Sequence, residues 1–381
     1  MAYAVEYDHG GRQTYGMGIP AFTFQVADEH YFENFLRADD FTAAQAFIRG
    51  DLGISGDLIA AVRFKQAHSR RSLKQWIYGA AAHLARRHPE NLWQSRWKMH
   101  AAQPHNESPE TYHRFPDSRF VYTCAYFKDP NSTLEQAEQA KLEYACRKLD
   151  LQRDDTFLDI GCGWGGLIMR AAGKYGVRAT GSTQSHSQFE FASSALADRG
   201  FEDRARIRET DYRGLEGRYR KIAAIGVFEN IGRRELAPFF QKIVTLLEED
   251  GLFLSSGITR PHPLPNDPRL FYLQQKVFPG GEPPHLSEII AAAENAGFEI
   301  LDTESLRSHY VLTCRAWIAH LQEISEASRR LVGDETYRTW LLYLAASAIS
   351  FEDGRSNIHQ LLMAKNGIYP QYRLTRDYMY R

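Results

Sequence analysis

The sequence predicts an α/β protein in which a doubly wound sheet follows a mostly helical N-terminal domain. Three observations carry this. From residue 133 onward, short apolar segments alternate with helical patterns, the signature of strands and crossover helices in one sheet. One segment, FLDI at 157–160, runs straight into a glycine-rich turn, GCGWGGL at 161–167. The chain of 381 residues also exceeds the usual size of one domain, so one large domain or two ordinary ones are expected.

The elements follow in order. Residues 61 to 100 hold nine Lys or Arg against the single acid Glu90, although the whole chain carries a net charge of only −1. Within that stretch SLKQWIYGAAAHLARRH reads as an amphipathic helix with Ser72 as its N-cap. A basic helix bearing tryptophan suits an anionic membrane surface. The alternative, a solvated basic face over the domain's own core, has equal weight, and nucleic acid is not expected. The proline-bearing stretch 101–120 reads as a linker or a segment covering the substrate, with a boundary near 115. TLEQAEQAKLEYACRKL (133–149) then predicts a helix, and TFLDI, RATGS, ARIRE, KIAAIGVF, GLFLSS and FEILD predict strands. The domains expected are therefore 1–115 and 116–381.

Composition narrows the class. With 43% apolar residues and a mean hydropathy of −0.46, this is the balance of a soluble protein. No apolar run approaches the ~20 residues of a spanning helix, and the N-terminus lacks the pattern of a secretory signal. A cytoplasmic protein is expected. Cys124, Cys146, Cys162 and Cys314 show neither paired nor zinc-binding spacing, which predicts reduced thiols and no metal.

The glycine turn sits where a first βα turn binds ligands, and Gly161, Gly163 and Gly166 satisfy G-x-G-x-x-G. Asp159, two residues earlier, would place like charge near a pyrophosphate but suits a cationic ligand. The acid that NAD binding expects about 20 residues later is missing from GVRATGSTQSHSQ (176–188). Gln188 could reach ribose hydroxyls instead, Asp211 an adenine amino group, and Trp164 could cover the ligand. These features favour S-adenosylmethionine over a dinucleotide.

The ordered motifs VYTCAYF (121–127), LDIGCGWGGL (158–167), GSTQSHSQ (181–188), DYRGL (211–215), GVFENIG (226–232), KVFPGGEPP (276–284), HYVLTCRAW (309–317) and TWLLYLAASAISF (339–351) go further. On them the chain resembles the cyclopropane-fatty-acyl-phospholipid synthase and mycolic acid cyclopropane synthase family of S-adenosylmethionine-dependent methyltransferases. The resemblance implies a class I, Rossmann-like methyltransferase fold from about Phe120. By motif position it adds Tyr122, Thr123, Thr183 and Tyr212 to the cofactor set. It also implies a bound bicarbonate as base, held by Cys124, Glu229, the Ile258 backbone and Tyr310. Where the family has a histidine ligand this chain has Ser256, and Asn230 replaces a second histidine. Serine donates a hydrogen bond but cannot share a proton near neutral pH.

The activity implied is methyl transfer to the double bond of an unsaturated fatty acyl phospholipid, reached from the inner face of the membrane. Cyclopropane is the first product expected. An open methylated chain, needing a reductase partner if it is to end as a saturated branch, is the alternative that Ser256 favours. Methylation of a small soluble molecule, a lipid-binding pseudoenzyme and, last, a nicotinamide oxidoreductase are the remaining readings. A homodimer through the N-terminal domain is implied by the same resemblance.

Overall fold

The computed structural model describes residues 1–69, 121–261, 273, 277, 283–367 and 374–380. The amphipathic helix read at 72–88 and the boundary near 115 lie outside them. The chain divides into two compact units, Met1–Leu92 with Pro265–Pro279 and Cys314–Asp353, and Trp93–Leu264 with Gly280–Thr313 and Gly354–Arg381. This differs from two consecutive domains, because a late helical segment returns to the first unit.

The first unit opens with strands β1 (Tyr3–Tyr7), β2 (Arg12–Tyr15) and β3 (Phe22–Val26), helices α1 (Glu29–Arg37) and α2 (Asp40–Arg49), strand β4 (Gly53–Gly56) and helix α3 (Leu58–His68). Each helix starts at an aspartate, Asp28, Asp39 or Asp57, whose carboxylate accepts from backbone N–H groups of the first turn. The sheet, in the order β2-β1-β3-β4, was not expected from sequence. Its β2 is polar and exposed and its β4 is the four-residue GISG, so neither shows a two-residue apolar period. Of the returning helices, Arg338 donates to the carbonyls of Phe47 and Leu52 at 3.3 and 3.1 Å. Arg63 bridges Glu352 and Asp353, both at 2.8 Å. These contacts explain why Cys314–Asp353 joins this unit.

The second unit carries helix α4 (Leu134–Lys148), then β5 (Thr156–Ile160), α5 (Gly166–Arg170), β6 (Arg178–Thr183), α6 (His186–Ala197), β7 (Ala205–Glu209), β8 (Tyr219–Ile225), α7 (Phe228–Ile231), α8 (Leu236–Leu246) and β9 (Leu247–Thr259). It continues with α9 (Leu286–Ala296), β10 (Phe298–Ser305), the start of α10 (Arg307–Glu323) and β11 (Asn357–Lys365). The seven strands lie in the order β10-β11-β9-β8-β5-β6-β7. All six strands expected from sequence form; β11 was not foreseen, and it wedges antiparallel between β10 and β9.

Alternate residues of each central strand enter different cores. Phe157, Ala223, Leu254 and Leu362 join one cluster, Leu158, Ile222, Phe253 and Leu361 the other. Both faces are covered, which is why these strands read as continuous apolar runs. From β5 the chain winds one way through β6 and β7 and the other way through β8 and β9, so the carboxyl ends of β5 and β8 flank the switch point where such sheets bind ligands.

The start of this unit is tied down by Glu143 of α4. Its carboxylate accepts from Arg147, Lys174 and Tyr175 and takes both guanidinium donors of Arg170, at 2.6 to 3.1 Å. Burial alone would raise its pKa, but the donors, chiefly Lys174, Arg170 and Tyr175, outweigh it and hold the carboxyl at about 2. A depressed pKa stabilises the fold above the ordinary value of 4.5, and that contribution is lost as the pH falls toward about 2. Glu143→Gln is expected to cost about 2 kcal/mol at pH 7 and nearly nothing at pH 2; urea titrations at the two pH values measure the difference.

Candidate active site

After β5 the chain turns through three glycines in the left-handed region, Gly161 at φ 71°, Gly163 at φ 54° and Gly165 at φ 86°. Gly166, the third glycine of the sequence pattern, is the first residue of α5, and the left-handed position belongs to Gly165, which the pattern passed over. A Cβ at Gly163 would meet nothing within 4 Å, so the turn leaves its backbone open there. Trp164 is buried edge-on to Phe191 at 5.3 Å.

Asp159 is the penultimate residue of β5, just before this turn. Burial raises its pKa to about 7, against the opposing field of Lys141. A ligand cation would relieve that desolvation, as the sulfonium and ammonium of S-adenosylmethionine would. Farther along the same strand ends, Thr183 donates to Gln188 at 2.7 Å. Asp211 accepts from Gln184 at 2.9 Å and from the Arg213 backbone at 2.8 Å. An open left-handed turn, a desolvated carboxylate and polar groups on the next two strand ends fit that cofactor. Tyr212 is placed differently from its expected role: it sits in the second core cluster, edge-on to Phe239 at 5.2 Å. Tyr122 is half-buried in the stretch leading to α4.

Beside the carboxyl end of β8 lies a cavity of about 20 Å³, lined by Thr123, Cys124, Glu229, Ser256 and Tyr310, all expected from sequence. Tyr126, Lys141, Tyr144 and Gln360 line it too and were not assigned roles in chemistry. The Cys124 thiol is pushed up to about 12 by burial and stays neutral, a small packing group and weak donor against Leu306. Tyr310 packs on the cluster of Cys124, Leu306 and Ile358.

Glu229 is the only carboxylate of the lining among the described residues, and its Oε1 accepts the Ile258 N–H at 3.3 Å. The Ile258 amide, expected to hold an anion, is thus given to Glu229. Oε2 has no partner among the described residues. Burial raises the carboxyl to about 7, with backbone donors at Glu229 and Ile258 pulling the other way. Gly257 makes this placement feasible, because a Cβ there would collide with Oε2 and with the Phe228 ring.

Among the described residues no histidine lines the cavity. Asn230 turns back to donate to the Gly226 carbonyl at 2.9 Å. His309 accepts the Phe127 N–H on Nδ1 at 3.0 Å and stacks on Tyr126 at 4.6 Å, so it holds the 121–127 segment in place. That supports leaving it out of the chemistry.

Fold and site together define a class I, S-adenosylmethionine-dependent methyltransferase. Residues 94–361 match the model of the mycolic acid cyclopropane synthetase family, and the chain belongs to that family. It is similar to a probable fatty acid methyltransferase of Pseudomonas putida, 40% identical over 71% of this chain and 70% of that one. A cyclopropane mycolic acid synthase of Mycobacterium tuberculosis is 31% identical over 69% of this chain and 96% of its own. Among solved structures, the cyclopropane synthase MmaA2 from Mycobacterium tuberculosis superposes with a TM-score of 0.67 at 29% identity, covering 72% of this chain and all of that one. The mycolic acid cyclopropane synthase CmaA1 complexed with SAH and CTAB gives 0.67 at 30%, with the same coverage.

Gly257→Ala is expected to displace Glu229 and lower methyl-transfer turnover about a hundredfold, with S-adenosylhomocysteine affinity changed less than about threefold. Steady-state kinetics and calorimetric titration together check both halves.

Proposed function

We propose that the protein transfers a methyl group to the double bond of an unsaturated fatty acyl chain of a phospholipid and closes a cyclopropane. The observation that carries this reading is a buried carboxylate, Glu229, with one oxygen unpartnered among the described residues, in a cavity where Ile225, Leu306, Ile358 and tyrosines line the wall beside the polar Thr123, Lys141, Ser256 and Gln360. S-adenosylmethionine supplies the electrophilic methyl when bound. An isolated alkene is a poor nucleophile, so the protein's part is to hold it in line and exclude water, worth up to roughly 7–11 kcal/mol.

Methyl addition at one alkene carbon leaves positive charge on its neighbour. Tyr310, in the cavity lining, offers an aromatic ring to that charge. Glu229, ionised above about pH 7, accepts a proton from the added methyl, and the C–H electron pair closes the ring. Bicarbonate could share this role, with Cys124, Ser256 and Tyr310 around it, although the Ile258 amide is already engaged.

One observation favours a second reading. With Ser256 and no histidine among the described lining residues, a proton can leave a neighbouring chain carbon instead and give an open methylated alkene. A saturated branch would then need a reductase. The names of two relatives fit an open product: the fatty acid methyltransferase above and a sphingolipid C9-methyltransferase of Gibberella zeae, 30% identical over 69% of this chain and 54% of its own.

Among the described residues no helix is long and apolar enough to cross a membrane. The basic, tryptophan-bearing stretch 61–100 supports approach to an anionic bilayer surface from the cytoplasm. A homodimer through the N-terminal unit belongs to the same reading.

Mass spectrometry of fatty acids from cells expressing the protein with methyl-labelled methionine tests this. The expected result is a labelled gain of one CH2 as a ring, reduced about a hundredfold or more by Glu229→Gln. A labelled open chain selects the second reading. No labelled lipid overturns both and points to a soluble substrate.

A further inference from the structure

Among the described residues three large apolar side chains stand almost entirely in water, Met17 at 98% exposure, Ile19 at 94% and Leu374 at 93%. The first two are two positions apart in one turn, GMGIPA at 16–21, which joins β2 to β3 in the first unit and contains no motif or site residue. A single exposed apolar residue is ordinary, because much of any protein surface is apolar. A pair held outward by the backbone is not.

The backbone of this turn does hold them. Gly16 and Gly18 lie at φ 80° and 102°, a region that other residues enter only with strain, and they alternate with Met17 and Ile19. A Cβ at Gly16 would meet the Met1 carbonyl at 3.0 Å, whereas one at Gly18 would meet nothing within 4 Å, so the turn is tight at its base and open at its tip. The base belongs to the sheet. Tyr15 pairs with Tyr3 and stacks on its ring at 4.9 Å, Ala21 donates its N–H to the Ala2 carbonyl, and the Ala21 carbonyl accepts from the Asp57 N–H. The aromatic cluster of Tyr3, Phe22, Phe24 and Phe64 lies close by, yet neither Met17 nor Ile19 folds onto it.

Charge and area together select the partner. Residues 13–27 carry no charged side chain, in a chain of which 24% is charged, so the tip can leave water without stripping an ion. Covered completely, the two side chains give up roughly 200 Å², far below the ~800 Å² that a stable protein interface takes from each side. An apolar tip on a fixed base, with Tyr15 just behind it, suits the interfacial zone of a bilayer, where acyl chains accept apolar groups of any shape and tyrosine sits at headgroup level.

We propose that the 16–21 turn dips Met17 and Ile19 into a lipid bilayer and anchors the first unit to the surface that carries the substrate. The inference rests on the phospholipid reading above for the purpose of that anchor. It adds an apolar contact, insensitive to salt, to the electrostatic attraction of the basic stretch 61–100.

Cosedimentation of the full chain with vesicles of phosphatidylcholine and phosphatidylglycerol, at about 0.05 and about 0.5 M NaCl, tests it. Met17→Ser combined with Ile19→Ser is expected to weaken binding about tenfold to a hundredfold, by the same factor at both salt concentrations. Thermal unfolding is expected to stay unchanged, since both side chains stand in water. Met17→Cys carrying an environment-sensitive fluorophore is expected to shift its emission to the blue on the same vesicles; the four native cysteines are buried, which leaves the label one site.

Equal vesicle binding by the wild type and the double variant, or a label that stays in water, overturns the proposal. A double variant that loses self-association while keeping its vesicle affinity also overturns it and makes the turn a contact between two copies of the chain. Acyl labelling is read separately. Vesicle binding through the turn with no labelled lipid removes the functional reading and leaves the anchor, and labelled lipid with unaltered binding by the variant does the reverse.

Discussion

The site depends on one constraint, the burial of a carboxylate that backbone donors, rather than a cation among the described residues, compensate. Glu229 is held at the carboxyl end of β8 by the Ile258 N–H, and the missing side chain of Gly257 gives it room. Three carboxylates of this unit show how environment decides their use. Glu143, surrounded by four donor side chains, sits at about 2 and serves as an anchor. Asp159 and Glu229, buried with weaker compensation, sit at about 7. A rise of about 2.5 to 3 pKa units corresponds to roughly 3–4 kcal/mol, free energy that a bound cation or a transferred proton can release.

The two raised carboxylates divide the work by position. Asp159 is the penultimate residue of β5, just before the left-handed turn, where a cationic cofactor suits it. Glu229 follows β8, next in the sheet, where the substrate wall begins. Because β5 and β8 are adjacent at the point where the winding reverses, the fold brings the glycine turn after β5 and the Glu229 cavity after β8 side by side.

Much of this was legible in the sequence, for physical reasons that differ by element. The strands TFLDI and KIAAIGVF announce themselves because both faces are buried, and Asp159 and Glu229 stand out because each lies near the end of such a run. Gly165 was hidden by a pattern that accepts Gly166 equally well; only the φ angles separate them. β11 was missed because NIHQLLMAK mixes polar and apolar residues without a clean period, and with it went Gln360, whose relevance comes entirely from the strand opposite. The N-terminal sheet escaped for a similar reason, with two of its strands short and largely exposed. Tyr212, named by motif position for the cofactor, has its ring buried in the core cluster, a placement that the motif does not reveal.

The account stands on Glu229 being a near-neutral base, and its protonation can be read directly. Difference infrared titration of the carboxylic C=O band in the ligand-free protein, with Glu229→Gln as the blank, is the most direct measurement. A midpoint close to pH 7 is the expected result. A midpoint at the ordinary glutamate value of 4.5 would mean that the carboxylate is solvated or paired, and would contradict the account.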